Sequence, residues 1–92
     1  MSGRSLDELI NEVLWRARVW DLPPRNRHEL LVLAAKLRIP RRAEVVRNFV
    51  AAYLVVAGFM DRRTADRVVA SSPRGRRLWE RRIRELLGEA VG

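Results

Sequence analysis

Apolar residues recur along the chain at the three- and four-residue spacing of one helix face, and clusters of Pro, Gly and Ser interrupt the recurrence. Leu6, Leu9, Ile10, Val13, Leu14, Ala17 and Trp20 predict a first helix from about Leu6 to Trp20, opened by the capping box of Ser5 with Glu8 and closed by Leu22-Pro23-Pro24. Asn26 with Glu29 reads as a second capping box, leading into a helix that turns Leu30, Leu33, Ala34 and Leu37 to one side and ends before Ile39-Pro40. Pro40 suits the first turn of a third helix, which is apolar nearly all round after Asn48 and stops at Gly58. Asp61 caps a short fourth helix through Val69. Ser72 caps a fifth, with Pro73 at its first position and Leu78, Trp79, Ile83, Leu86, Leu87 and Ala90 as its buried stripe.

No period-two apolar run of useful length competes with these helices, and no linker is long enough to divide the chain. The expectation is a single all-α domain over residues 1–92, a compact bundle of four to five helices around a central apolar helix at about residues 41–58, with helix-turn-helix-like units. Trp15, Trp20 and Trp79 fall on or beside the apolar stripes and are expected in the core.

Composition adds a distribution of charge. The net charge is +8, and 18 of the 19 basic residues are arginine. Residues 1–24 sum to −1, residues 25–47 to +5 and residues 62–84 to +7, so two basic segments flank a nearly neutral middle. Arginine offers a planar fork that pairs with phosphate or a guanine edge, which makes a polyanion the expected partner. A GC-rich genome or a hot habitat accounts for the arginine preference equally well. The longest uncharged run, Asn48 to Met60, is short of the ~20 residues a membrane-spanning helix needs. Ser5 to Glu12 is too acidic for a signal segment.

Catalysis finds little to work with. His28 is the sole histidine and there is no cysteine, so no nucleophile–base pair, thiol or histidine–cysteine metal set is expected, and no Gly-rich phosphate loop is present. No enzyme activity, cofactor, metal or small-molecule substrate is expected.

The segment His28 to Leu54, HELLVLAAKLRIPRRAEVVRNFVAAYL, resembles the helix, tight turn and second helix of small transcription regulators of the helix-turn-helix and ribbon-helix-helix kinds. The ribbon version implies a strand in Arg18-Val19-Trp20-Asp21-Leu22-Pro23. The helix-turn-helix version usually has a glycine where Arg38 stands. Pro73-Arg74-Gly75-Arg76 is similar to the core of an AT-hook, which implies an extended arm in a minor groove.

A helix start carries free amides and a positive dipole end, so arginines gathered there favour a phosphate. Arg38, Arg41, Arg42 and Arg47 form one candidate patch, and Arg74, Arg76, Arg77, Arg81 and Arg84 the other. The bland alternative is that these charges solvate helix ends and flanks, with Glu80–Arg84 and Arg81–Glu85 as intrahelical pairs. The expected partner is nucleic acid, duplex DNA ahead of RNA, bound by a homodimer or higher assembly acting as a regulator or an architectural nucleoprotein component, cytoplasmic, nucleoid-associated or in a virion. The alternatives are a helical adaptor for an acidic protein and an RNA-binding subunit of a ribonucleoprotein. Attachment to a membrane is not expected.

Overall fold

Helical segments form where the sequence places them, and the differences lie at the helix ends and in the fourth segment, most of which is π-helical. The computed structural model describes the backbone of residues 3–91 and the side chains of residues 3–88. The elements are α1 (Leu6–Arg16), α2 (Pro24–Lys36), α3 (Ala43–Val56), α4 (Arg62–Thr64) running directly into a single π-helical stretch (Ala65–Val69), and α5 (Pro73–Val91). There is no strand among the described residues, so the chain is all-α. No described helix is long and apolar enough to cross a membrane.

The central helix is α3, as its composition requires. Val46 and every residue from Asn48 to Leu54 are buried. Around it α1 contributes Leu9, Ile10, Val13 and Leu14, α2 contributes Leu30, Leu33 and Ala34, the π stretch contributes Ala65 and Val69, and α5 contributes Ile83. Each large apolar side chain removed from water in this way stabilises the fold by about 1.5–3 kcal/mol. The α5 stripe is narrower than its spacing predicts. Leu78 is exposed, Trp79 is half-buried edge-on to Phe49 at 6.0 Å, and Ala90 lies outside the described side chains.

Three helices end in the same way. After α1, α2 and α3 the chain takes a left-handed residue, Arg18 (φ 59°), Arg38 (φ 52°) and Gly58 (φ 84°). The next residue turns its N–H back to the last turn of its helix: Val19 to the Leu14 carbonyl at 3.0 Å, Ile39 to Ala34 at 3.1 Å, Phe59 to Leu54 at 2.8 Å. These are Schellman caps, which satisfy carbonyls that the helix end leaves free. The first cap ends α1 at Arg16, four residues short of the expected Trp20, and leaves no strand in Arg18–Pro23. The second resolves the missing turn glycine, because Arg38 itself adopts the conformation that favours glycine. That conformation costs an L-residue roughly 1–2 kcal/mol. Arg38→Gly is therefore expected to leave stability unchanged or raise it by up to about 1 kcal/mol, and Gly58→Ala to lower it by about 1 kcal/mol. A Cβ at Gly58 meets nothing within 4 Å, so the penalty there is purely conformational. Urea titration of the two variants beside the parent chain measures both.

Two helix starts also move. Pro23 occupies the cap position of α2 and Pro24 its first, so the Asn26–Glu29 capping box does not form. Both side chains turn instead to the buried Tyr53: Asn26 Nδ2 donates to its hydroxyl at 3.1 Å, and the hydroxyl donates to Glu29 Oε1 at 2.7 Å. Pro40 likewise stands outside α3, which begins at Ala43 with Arg42 as its cap residue.

Burial, and next the bond to Glu29, push the Tyr53 hydroxyl up to about 12, against the lowering effect of the Asn26 bond. A group whose pKa is raised by folding contributes stability below its unfolded pKa, about 10, and loses that contribution as pH rises through the folded value. With one tyrosine, one lysine and no cysteine, the chain has few other groups titrating there. Stability is expected to fall between pH 10 and 12 by up to about 1.4 kcal/mol per pH unit. Tyr53→Phe should start about 1–2 kcal/mol lower, since Asn26 and Glu29 lose their shared partner, and should lack this slope. Denaturant midpoints across the alkaline range separate the two.

Candidate nucleic-acid interface

Asn48 sets where α5 begins. Buried on α3, its Oδ1 accepts from the backbone N–H groups of Ser71 at 2.8 Å and Ser72 at 3.1 Å, fixing the turn between the π stretch and α5. Ser72 then caps α5, its hydroxyl accepting from the Gly75 N–H at 3.0 Å, and Pro73 takes the first helical position. The Ser71 hydroxyl donates to the Glu44 carbonyl at 3.1 Å, which brings the start of α5 beside the start of α3. A Cβ on Gly75 would lie 2.2 Å from Asn48 Nδ2, so only glycine permits this approach. Pro73-Arg74-Gly75-Arg76 is thus the first turn of a packed helix, and the extended AT-hook arm is not what these residues form.

Arg76 is the residue whose place departs furthest from expectation. Only 3% of it is exposed. Its Nε and Nη2 donate to the two oxygens of Asp66 at 2.6 and 3.1 Å, and its Nη1 to Glu80 Oε2. The Asp66 bonds hold the guanidinium charged even more firmly than an ordinary arginine. Glu80, itself buried, also receives Arg84 Nη1 at 2.8 Å and faces Arg62 Nε at 3.4 Å. Buried charges persist only when paired and hydrogen-bonded, and this cluster ties the π stretch to α5. Arg76 is a structural residue, with no fork left for a phosphate.

Of the other five arginines of α5, Arg82 lies over the Trp79 ring and four share a face next to that of Arg76 and Glu80. Arg74, Arg77, Arg81 and Arg84 are exposed, and their spacing of three, four and three places them on one face over roughly 15 Å of helix. Two open, shallow grooves run along this face and share Arg77 and Arg81, with Arg74 at one end and Arg62 and Arg84 at the other. Among the described residues, Arg74, Arg77 and Arg81 have no carboxylate within ion-pair distance. Arg62, absent from the expected set, joins the strip because Glu80 reaches it from α5.

The other expected patch divides. Arg38, Arg41 and Arg42 are exposed around the turn from α2 to α3. The first amides of α3 receive no side-chain cap from Arg42, and the Ser71–Glu44 bond puts them at the same end of the molecule as the start of α5. Arg47 is half-buried and spends its Nε on the Val69 carbonyl at 3.2 Å. Because α3 is buried at Val46 and from Asn48 to Leu54, its exposed arginines are confined to its start. His28 is exposed on α2.

Trp15 and Trp20, expected in the core, are 69% and 64% exposed, with their rings edge to face at 5.8 Å. The reason is phase and cap: Trp15 lies one residue beyond buried Leu14 on α1, and Trp20 follows the Schellman turn. Trp79 carries Arg82 over its ring at 5.2 Å. No three described His, Cys, Asp or Glu side chains gather closely enough to hold a metal ion. Comparison of the chain with protein-family models, with curated proteins and with solved structures finds no match.

Proposed function

We propose that the protein binds duplex nucleic acid, DNA ahead of RNA, through the exposed arginine face of α5. What carries the reading is that, among the described residues, Arg74, Arg77 and Arg81 lie on one helix face without carboxylate partners, while Arg76, one residue from Arg77, is neutralised inside. The chain thus holds free forks along a strip that a phosphate backbone can follow. Arg38, Arg41 and Arg42 extend the positive end near the α5 start, where two helix N-termini add their dipoles. In this reading no base on the nucleic acid need be identified, as befits an architectural component, and pairing of two copies raises the effective concentration of the second binding surface.

The test is a salt series with duplex DNA, single-stranded DNA and duplex RNA. Binding to duplex DNA is expected to weaken steeply with salt, and the triple change Arg74→Gln, Arg77→Gln, Arg81→Gln to flatten the log-log slope by about 2.7, near 0.9 for each phosphate no longer neutralised. A flat slope in the parent chain sinks the proposal. A second reading, a helical adaptor for another protein, is favoured by the exposed Trp15–Trp20 pair, since tryptophans are frequent anchors of protein interfaces.

A further inference from the structure

A half-open cleft lies between α1 and the start of α3, beside the π stretch. Its floor is apolar: Leu9 and Val13 from α1 and Val46 from α3, each buried against the core. Its polar wall is made by Arg16 and Arg47. These two guanidinium groups come from different helices and are pinned to consecutive backbone carbonyls, Arg16 Nε to Val68 at 3.1 Å and Arg47 Nε to Val69 at 3.2 Å. The π stretch presents those carbonyls because its last turn leaves them free.

Among the described residues neither guanidinium has a carboxylate at ion-pair distance, and neither makes another side-chain hydrogen bond. The one acid at the cleft, Glu12, is paired with Arg4 at the rim. Two like charges anchored to consecutive carbonyls at one cleft repel each other, and most of their N–H donors make no hydrogen bond among the described residues. An anion between them relieves the repulsion and satisfies the donors. We infer that the cleft is a binding site for a small organic carboxylate, its oxygens on the Arg16 and Arg47 forks and a compact apolar body on the Leu9, Val13 and Val46 floor. The cleft measures about 150 Å³, the volume of a void that takes a benzene-sized guest. The body is therefore a single ring or a short branched chain. This site is independent of the nucleic-acid reading, and it is a ligand class that residue patterning alone gave no reason to expect.

Benzoate is the probe, with benzyl alcohol as its uncharged counterpart and inorganic phosphate as the charge without the body. Benzoate is expected to shift the methyl resonances of Leu9, Val13 and Val46 saturably, at least 10-fold more tightly than either control. Arg16→Gln with Arg47→Gln should weaken it 10-fold or more. Because those changes also remove two bonds to the π stretch, Ala43→Leu is the companion variant. Ala43 lines the same cleft at the exposed first position of α3, so a larger side chain there fills the site and leaves both arginines in place. It should abolish the benzoate shifts while the melting temperature stays at the parental value. Absence of saturable shifts, phosphate or benzyl alcohol binding as well as benzoate, or full benzoate affinity in the Ala43→Leu chain overturns the inference. Loss of DNA binding in the α5 variants bears on the other reading and leaves this one untouched.

Discussion

Arg76→Met is expected to destabilise the protein by about 3–5 kcal/mol, which for a chain of this size lowers the melting temperature by more than about 10 °C. The cause is the carboxylate pair left behind. Asp66 loses a two-pronged partner and Glu80 keeps only Arg84 and Arg62, which are themselves exposed. Two acids near each other, one of them buried, then face desolvation without compensation. Arg74→Gln, two residues earlier on the exposed side, should move stability by less than about half a kcal/mol. Replacing Arg76, Asp66 and Glu80 together by apolar residues of similar volume should restore much of what Arg76→Met loses, since a whole buried ion cluster is often replaceable where half of one is not. Thermal denaturation of the four chains measures this. Equal melting of Arg76→Met and Arg74→Gln would show that the cluster holds nothing together.

Gly75→Ala reverses the ordinary rule for a helix. Alanine in place of glycine inside a helix usually gains about 1 kcal/mol. Here the added Cβ would meet Asn48 Nδ2 at 2.2 Å and Asn48 Cγ at 2.9 Å. Asn48 is on the central helix and cannot retreat without releasing the Ser71 and Ser72 amides, each bond worth about 1 kcal/mol net and more when its loss leaves a buried group unpaired. The expected result is a loss of about 2–4 kcal/mol, with the start of α5 shifted away from α3. Hydrogen exchange should show the Ser71 and Ser72 amides unprotected in Gly75→Ala and protected in the parent. A stabilised variant with those amides still protected would refute the close approach.

What could be read from the residues was what neighbours in sequence decide. Ser5 with Glu8, Asp61 with Thr64, Ser72 with Gly75 and the Gly58 stop involve partners within a few positions, and each forms as the pattern predicts. Asn26 and Glu29 carry the same local signature as Ser5 and Glu8. They fail because Pro23 and Pro24 start the helix earlier and Tyr53, far along the chain, takes both side chains. The apolar run of α3 announced its burial. The site was legible only in outline: the spacing of Arg74, Arg77, Arg81 and Arg84 put them on one face, yet nothing adjacent distinguishes Arg76. Its neutralisation depends on Asp66 arriving from the π stretch, and the Glu80 spacing alone suits a surface pair equally well. The α1–α3 cleft was invisible for the same reason, since Arg16 and Arg47 meet only at carbonyls of a third segment.

The placement of the tryptophans determines what light emitted by this protein reports. Two of the three indoles sit in water in the folded chain, edge to face at the end of α1, and only Trp79 is packed, against Phe49. Emission is then dominated by rings whose surroundings barely change on unfolding, and the exposed pair masks the one ring that senses the docking of α5 on α3. A chain with Trp15 and Trp20 both changed to phenylalanine carries a single chromophore at that junction, so its fluorescence follows α5 alone, and a ligand that disturbs the arginine helix becomes visible by its colour.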